Sequence, residues 1–173
     1  MAGGAPKDVF QPVTDAVRTE VRTLIGEARH AALASLQPGS GHPLASRVGL
    51  ACFADGTPLI FISALAAHTG ALLADPRCSL LVGTPGKGDP LAHARVSILC
   101  QAEVITDAQE ISAARKCYLA AHPKAQLYID LPDFRFFRLR PLEASFNGGF
   151  GRGFRLEAAD LLKLEPDQGD RRN

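Results

Sequence analysis

The dipeptide Asp55-Gly56 lies between two apolar runs, Leu44–Phe53 and Leu59–Ser63. Asp-Gly favours the positive backbone angles of a tight hairpin turn, so the two runs read as antiparallel partner strands. That turn commits the middle of the chain to local β pairing. Further short apolar segments recur nearby: Ala31–Leu36, Cys78–Gly83, Arg95–Ile105, Phe134–Leu139 and Leu142–Phe146. Turn-rich stretches separate several of them, at Gln37–Pro43, Thr84–Pro90 and the glycine-dense Asn147–Gly153. Six or seven strands at this spacing favour an antiparallel barrel with helices packed outside, whereas a doubly wound sheet needs longer helices regularly between strands.

The helical pattern is clearest near the start. Val13, Ala16, Val17, Val21, Leu24, Ile25 and Ala28 recur at three and four, with Asp15, Arg18, Glu20, Arg22 and Glu27 on the opposite face. Thr14 or Asp15 supplies the cap. Leu65–Ala74 predicts a short helix stopped by Pro76, and Ile111–Ala121 a second one stopped by His122-Pro123. Lys124–Tyr128 reads as a further short helical piece, and Leu156–Leu164 as a weak terminal helix. A length of 173 residues suits one domain. It is placed at residues 13–164, after a flexible segment 1–12 and before a polar tail 165–173.

Composition excludes several function classes. Nineteen basic against 18 acidic residues leave a formal charge of +1, with no field to draw nucleic acid or an anionic membrane. No run of 18 apolar residues is present, so no membrane helix is expected, and the first residues do not read as a signal peptide. Cys52, Cys78, Cys100 and Cys117 are at least 17 residues apart with no CxxC pair. They read as small buried hydrophobes in a reducing compartment, and the expected location is cytoplasmic.

Motifs for the commoner chemistries are absent. There is no GxGxxG, no GxxxxGK[ST], no HExxH and no GxSxG. Gly83–Gly88 resembles a phosphate loop only superficially, because Asp89-Pro90 follows without a helix start. The five histidines are 12 or more residues apart, so no metal site is expected from local spacing. Ser63 and His68 lack a carboxylate placed to orient the imidazole, which argues against a hydrolase triad.

Four features occur in order between Pro43 and Glu103. Ser46-Arg47-Val48-Gly49-Leu50 places an arginine in an apolar strand, and Phe61-Ile62-Ser63 is the hairpin return. Ala64 to Thr69, with His68, precedes a helix ending in Asp75-Pro76-Arg77, and Asp89 to Arg95 leads into a long strand. This order resembles the FMN-binding split-barrel superfamily typified by pyridoxamine 5′-phosphate oxidase, and within it the haem-utilisation branch. The matching stretches are Ile62–Val82, Asp89–Arg95 and Gly148–Gly151, and with flanking helices the resemblance spans about residues 13–162.

The resemblance implies a mainly β (α+β) fold: a six-stranded antiparallel split barrel with peripheral helices, paired as a homodimer with flavin sites at the interface. It implies FMN contacts from Arg47, Val48, Gly49 and Leu50, from Ile62 and Ser63 on the hairpin return, and from His68 and Thr69 at the phosphate. Arg95 falls in the column of a ring-contacting glutamine. Chemically, Arg47 offers a bidentate fork, Thr69 a hydroxyl and His68 an imidazole donor, and the start of the Leu65–Ala74 helix adds N–H groups and a favourable dipole. A cation near the pyrimidine edge, such as Arg95, favours reduced flavin.

Each residue also has a plain structural reading. Arg47 fits an exposed or salt-bridged strand position, His68 a cap or surface site, and Arg95 a partner for Asp89 or Glu103. His30, His42, His93 and His122 read as loop or terminus residues. The chain also departs from the oxidase pattern. Ala66 and Ala67 replace basic residues of the phosphate grip, and no substrate-phosphate cluster is found, so pyridoxine phosphate is not the expected substrate. No histidine follows His122, where haem-degrading relatives place an iron ligand.

The expected function is an FMN-binding oxidoreductase of unknown substrate, with no general acid or base assigned. The alternatives are a haem-binding or haem-utilisation protein, a cofactor-free dimeric interaction module and a nicotinamide-dependent flavin reductase.

Overall fold

A computed structural model describes residues 10–163. The first helix, α1 (Asp15–Glu27), starts where Thr14 Oγ1 accepts the Val17 N–H, and it buries Val17, Val21 and Ile25 at successive turns. The strands follow as β1 (His30–Leu36), β2 (Pro43–Gly49), β3 (Ala51–Cys52), β4 (Pro58–Ser63), β5 (Arg77–Val82), β6 (Arg95–Val104), β7 (Phe134–Asn147) and β8 (Gly153–Glu157). Between them lie α2 (Ala67–Ala74), α3 (Ala108–Ala121) and the single turn α4 (Ala158–Leu161).

All eight strands join one antiparallel sheet in the order β2-β1-β5-β6-β7-β4-β3, with β8 added alongside β7. The two ends of that order, β2 and β3, are consecutive in the chain. Only Leu50 separates them; it is fully buried and its N–H donates to Arg29 O at 3.0 Å. The segment Pro43–Cys52 therefore pairs first with β1 and then with β4, and one stretch of chain links both edges of the curled sheet. The expected single strand Leu44–Phe53 is this segment, bent at Leu50. The Asp55-Gly56 turn forms as expected: Gly56 has φ of +91°, and Asp55 accepts from the Thr57 N–H and hydroxyl.

Two strand readings need correction, and eight strands replace the expected six. Phe134–Leu139 and Leu142–Phe146 are one strand, β7, running straight through Pro141. On one side β7 pairs with β4 over its first five residues and with β8 over its last five. Pro141 falls between these partners, where a missing N–H breaks no ladder bond. On the other side Leu99 faces Glu143 and Cys100 faces Pro141, so Leu142 is a bulge residue. The second correction concerns the C-terminal segment read as helix. Gly153–Glu157 is a strand, because Phe154 and Leu156 turn inward while Arg155 and Glu157 face solvent, a period of two. The helix shrinks to α4, started by a reciprocal cap between Glu157 and Asp160. Residues 1–9 and 164–173 lie outside the described residues; Gln11 donates its N–H to Gly153 O.

The barrel interior is filled by Leu33, Leu80, Ile98, Phe137, Leu139, Phe146 and Leu156, with α1 sealing one end. A second apolar cluster lies outside the barrel, where α3 covers β4 and β7 through Leu59, Phe61, Ala114, Tyr118, Ile129 and Phe136. Strand β4 is consequently buried on both faces, as its unbroken apolar run Pro58–Ile62 demands.

Emptying the interior at Phe137, 1% exposed, leaves a large cavity. Phe137→Ala is expected to lower unfolding free energy by about 3–5 kcal/mol in urea denaturation. Leu91→Ala, at a position 70% exposed, is expected to stay within about 0.5 kcal/mol of the parent. Comparable losses at the two positions would contradict this core assignment.

Candidate functional site

The end of β2, the end of β4, the start of α2 and the end of α3 converge on one open cleft of about 360 Å³. β2 contributes Arg47, Val48 and Gly49, β4 contributes Ile62 and Ser63, and the α2 start contributes Ala66 and His68. Six of the nine residues expected at the site thus line a single depression, although up to 21 positions separate them in sequence. Leu50 and Thr69 sit behind its surface, both fully buried.

Arg95 is not at this cleft. It opens β6 opposite Asn147, whereas the cleft end of β4 pairs with Phe134 at the other end of β7. The nine steps from Arg95 to Val104 amount to about 30 Å along the strand. Its guanidinium donates to the carbonyls of Leu91 and His93 and pairs with neither Asp89 nor Glu103.

The hydroxyls expected at a phosphate are committed to the fold. Ser63 Oγ donates to Asp133 at 2.7 Å and accepts the Leu65 N–H, building the turn into α2. Thr69 Oγ1 donates to Ser63 O at 2.6 Å, tying the first turn of α2 to β4. Arg47 is different: it is solvent-exposed and makes no ion pair or side-chain hydrogen bond among the described residues. His68 is half-buried, its ring meets no hydrogen-bond partner among the described residues, and burial pushes its pKa down from the usual 6.5. Neutral imidazole is the form that ligates metals.

The opposite wall is aromatic and had no place in the sequence expectations. Tyr118, His122, Tyr128, Phe61 and Phe134 complete the cleft. Phe61 is their hub, with ring centroids 5.0 Å from Phe134, 5.6 Å from Tyr118 and 6.2 Å from Tyr128. Burial pushes the Tyr118 phenol well above its ordinary pKa, so it stays protonated. The His122 ring lies 4.5 Å from that of Tyr118, and its Nε2 is 2.9 Å from Leu50 O. A carbonyl only accepts, so Nε2 carries the proton and Nδ1 is the remaining ring nitrogen. His122 caps the end of α3, its N–H donating to Tyr118 O, which sets its ring beside that of Tyr118.

Gly49 lets this wall approach. A Cβ there would lie 2.4 Å from Tyr118 Oη and 3.6 Å from His122 Cε1. Gly49→Ala is therefore expected to destabilise by about 1–3 kcal/mol, and removing the hydroxyl with Tyr118→Phe should return part of that loss. Additive effects in the double-mutant cycle would contradict direct packing. Protonation gives a second expectation. With the folded-state pKa of His68 below its unfolded value, the unfolded state binds the proton first, so stability is full above about pH 6.5 and falls as pH drops through the lowered value. Denaturation midpoints measured between pH 7.5 and 5 should show this decline, and His68→Asn should flatten it.

Among the described residues no group of three or more His, Cys, Asp or Glu side chains is placed to hold a bare metal ion. No helix among them is long and apolar enough to cross a membrane. Comparison with known proteins places the chain in a family. The chloroplastic haem oxygenase HOZ of Arabidopsis thaliana is 36% identical over 148 residues, 84% of this chain and 44% of that protein. A solved haem-binding protein from Mycobacterium smegmatis is 32% identical with a TM-score of 0.78, covering 87% of this chain and 61% of its own. A protein of unknown function from Agrobacterium tumefaciens is 33% identical with a TM-score of 0.77, covering 92% and 66%. The chain thus spans less than half of HOZ and about three-fifths of the mycobacterial protein. ChuZ of Campylobacter jejuni shares the fold at 15% identity and a TM-score of 0.77. The family model of pyridoxamine 5′-phosphate oxidase matches residues 17–148, most of the barrel, and the chain belongs to that family.

Proposed function

We propose that this protein binds haem in the cleft between Arg47, His68 and the aromatic wall, as a haem-handling member of the family. The supporting observation is the donor set. Arg47, without an ion-pair partner among the described residues, and His68, a neutral imidazole without a hydrogen-bond partner among them, line one cleft whose other wall is the rings of Phe61, Tyr118, Tyr128 and Phe134. A planar tetrapyrrole asks for that combination: an apolar face, a cation for a propionate and a neutral imidazole for iron. Bound there, haem supplies iron redox chemistry. The chain's own residues bind the propionate through Arg47, present the His68 ring, and hold His122 in one orientation through Leu50. The haem-related names of HOZ and the mycobacterial protein point the same way.

FMN asks for more than one chain provides here. Its phosphate dianion would meet Arg47 and the N–H groups opening α2, while burial keeps His68 neutral and Ala66 and Ala67 bring no charge. An FMN-dependent oxidoreductase is the second reading, favoured by the convergence of the β2, β4 and α2 positions matched to the flavin site. In either case a second copy of the chain is the proposed cover for the open side. Leu65 and Leu127, 89% and 88% exposed, are sequence neighbours of cleft residues and fit such a contact.

Parallel titrations of the purified protein with haem and with FMN separate the readings. A saturable Soret band is expected with haem. His68→Ala should remove the imidazole-type spectrum, and Arg47→Ala should weaken binding about tenfold or more, the scale of one charge-assisted contact. Ascorbate and dioxygen added to the complex then test turnover, read as loss of the Soret band. Saturable FMN binding with no haem binding would overturn the haem assignment in favour of the second reading.

A further inference from the structure

We propose that the cavity between α1, β3 and the end of α3 is a second binding site, for a small phosphate-bearing molecule. It encloses about 330 Å³ and shares no lining residue with the cleft. The two lie on different faces of one helix end: Tyr118 and His122 face the cleft, whereas Cys117, Ala120 and Ala121 face the cavity. Arg22, Arg29 and Lys163 line it, and among the described residues no carboxylate does.

The state of the two arginines carries the argument. Arg18, Arg77, Arg115, Arg138, Arg140 and Arg152 are each ion-paired to an Asp or Glu. Arg22 and Arg29 are instead held by main-chain carbonyls. Arg22 donates Nε and Nη2 to Asp160 O and Ala159 O. Arg29 donates Nη1 to the carbonyls of Gly26, Glu27 and Ala28 at the end of α1. Neutral acceptors orient a guanidinium without cancelling its charge, and each arginine keeps unspent N–H donors. The nearby carboxylates are engaged elsewhere. Asp160 feels the charge of Arg22 but bonds Arg18 and the Glu157 N–H, and Asp55 is turned onto Thr57. Fixed cations with free donors suit a phosphate, and the floor of Ile25, Ala51 and Ala120 offers an apolar seat for an organic portion.

Calorimetric titration of the full chain with inorganic phosphate and with AMP tests this. Saturable binding of either is expected, and tighter binding of AMP would mean that the apolar floor contributes. Arg29→Gln should weaken it at least tenfold. Gly26→Leu should block it by filling the cavity, since a Cβ at Gly26 meets nothing within 4 Å. Because that change leaves every cation in place, it keeps the test valid if Arg29→Gln misfolds. Bound AMP should also slow alkylation of the half-buried Cys117 by iodoacetamide. No binding of either probe, or binding unchanged in Gly26→Leu, would overturn the proposal. Haem binding at the cleft is read separately by its Soret band.

Discussion

The passage of the chain through Leu50 is the constraint on which the rest of the structure depends. The strand path of the curled sheet ends at two edges, β2 and β3, and exposed edges invite pairing with other chains. Here a single segment, Pro43–Cys52, lies along both. Leu50 at the bend is buried, its N–H is taken by Arg29 O, and its carbonyl is taken by His122 Nε2. Three elements therefore meet at one residue: the end of α1, the junction of β2 with β3, and the end of α3. The cleft opens on one side of this junction and the arginine-lined cavity on the other. Both lie where the barrel closes, and the Phe53–Gly56 turn adds to the cavity wall.

The chemistry of the cleft follows from what each side chain has left to offer. Ser63 and Thr69 have their hydroxyl protons committed to the turn that starts α2, so they position more than they bind. Gly49 contributes by having no side chain, which brings the Tyr118 hydroxyl and the His122 ring against the strand. What stays available is one exposed guanidinium, one neutral imidazole and a wall of rings. That inventory is poor in charge for a compact phosphate dianion and suits an apolar ring whose negative charge is spread over separate carboxylates at one edge. The two readings of the cleft differ on this balance and on nothing else in the fold.

Much of this was legible in the chain. The Asp55-Gly56 turn, the first helix and the Arg47–His68 stretch could be read from turn chemistry, periodicity and resemblance, because each depends on neighbours close in sequence. Other features depend on contacts that only the fold creates. Pro141 looked like a strand break, yet β7 passes through it because the partner strand changes there. The Gly153–Glu157 strand has a clear period of two but was outweighed by the apolar residues that follow it. Tyr118 reads as an ordinary helix residue and His122 as a loop or terminus residue, since nothing local shows that α3 ends over Gly49. Arg95 matched a family column and lies about 30 Å along β6 from the cleft end of the sheet.

Histidine resonances test the central assignment most directly. The five histidines are spread over the molecule, with His68 and His122 at the cleft and His42 at the far end of β2, about 20 Å from Gly49 along the strand. In 15N-histidine-labelled protein, ferric haem should broaden the ring signals of His68 and His122 beyond detection and leave those of His42 and His93 sharp. Unchanged signals from His68 and His122 in the presence of bound haem would place the haem elsewhere and contradict the account.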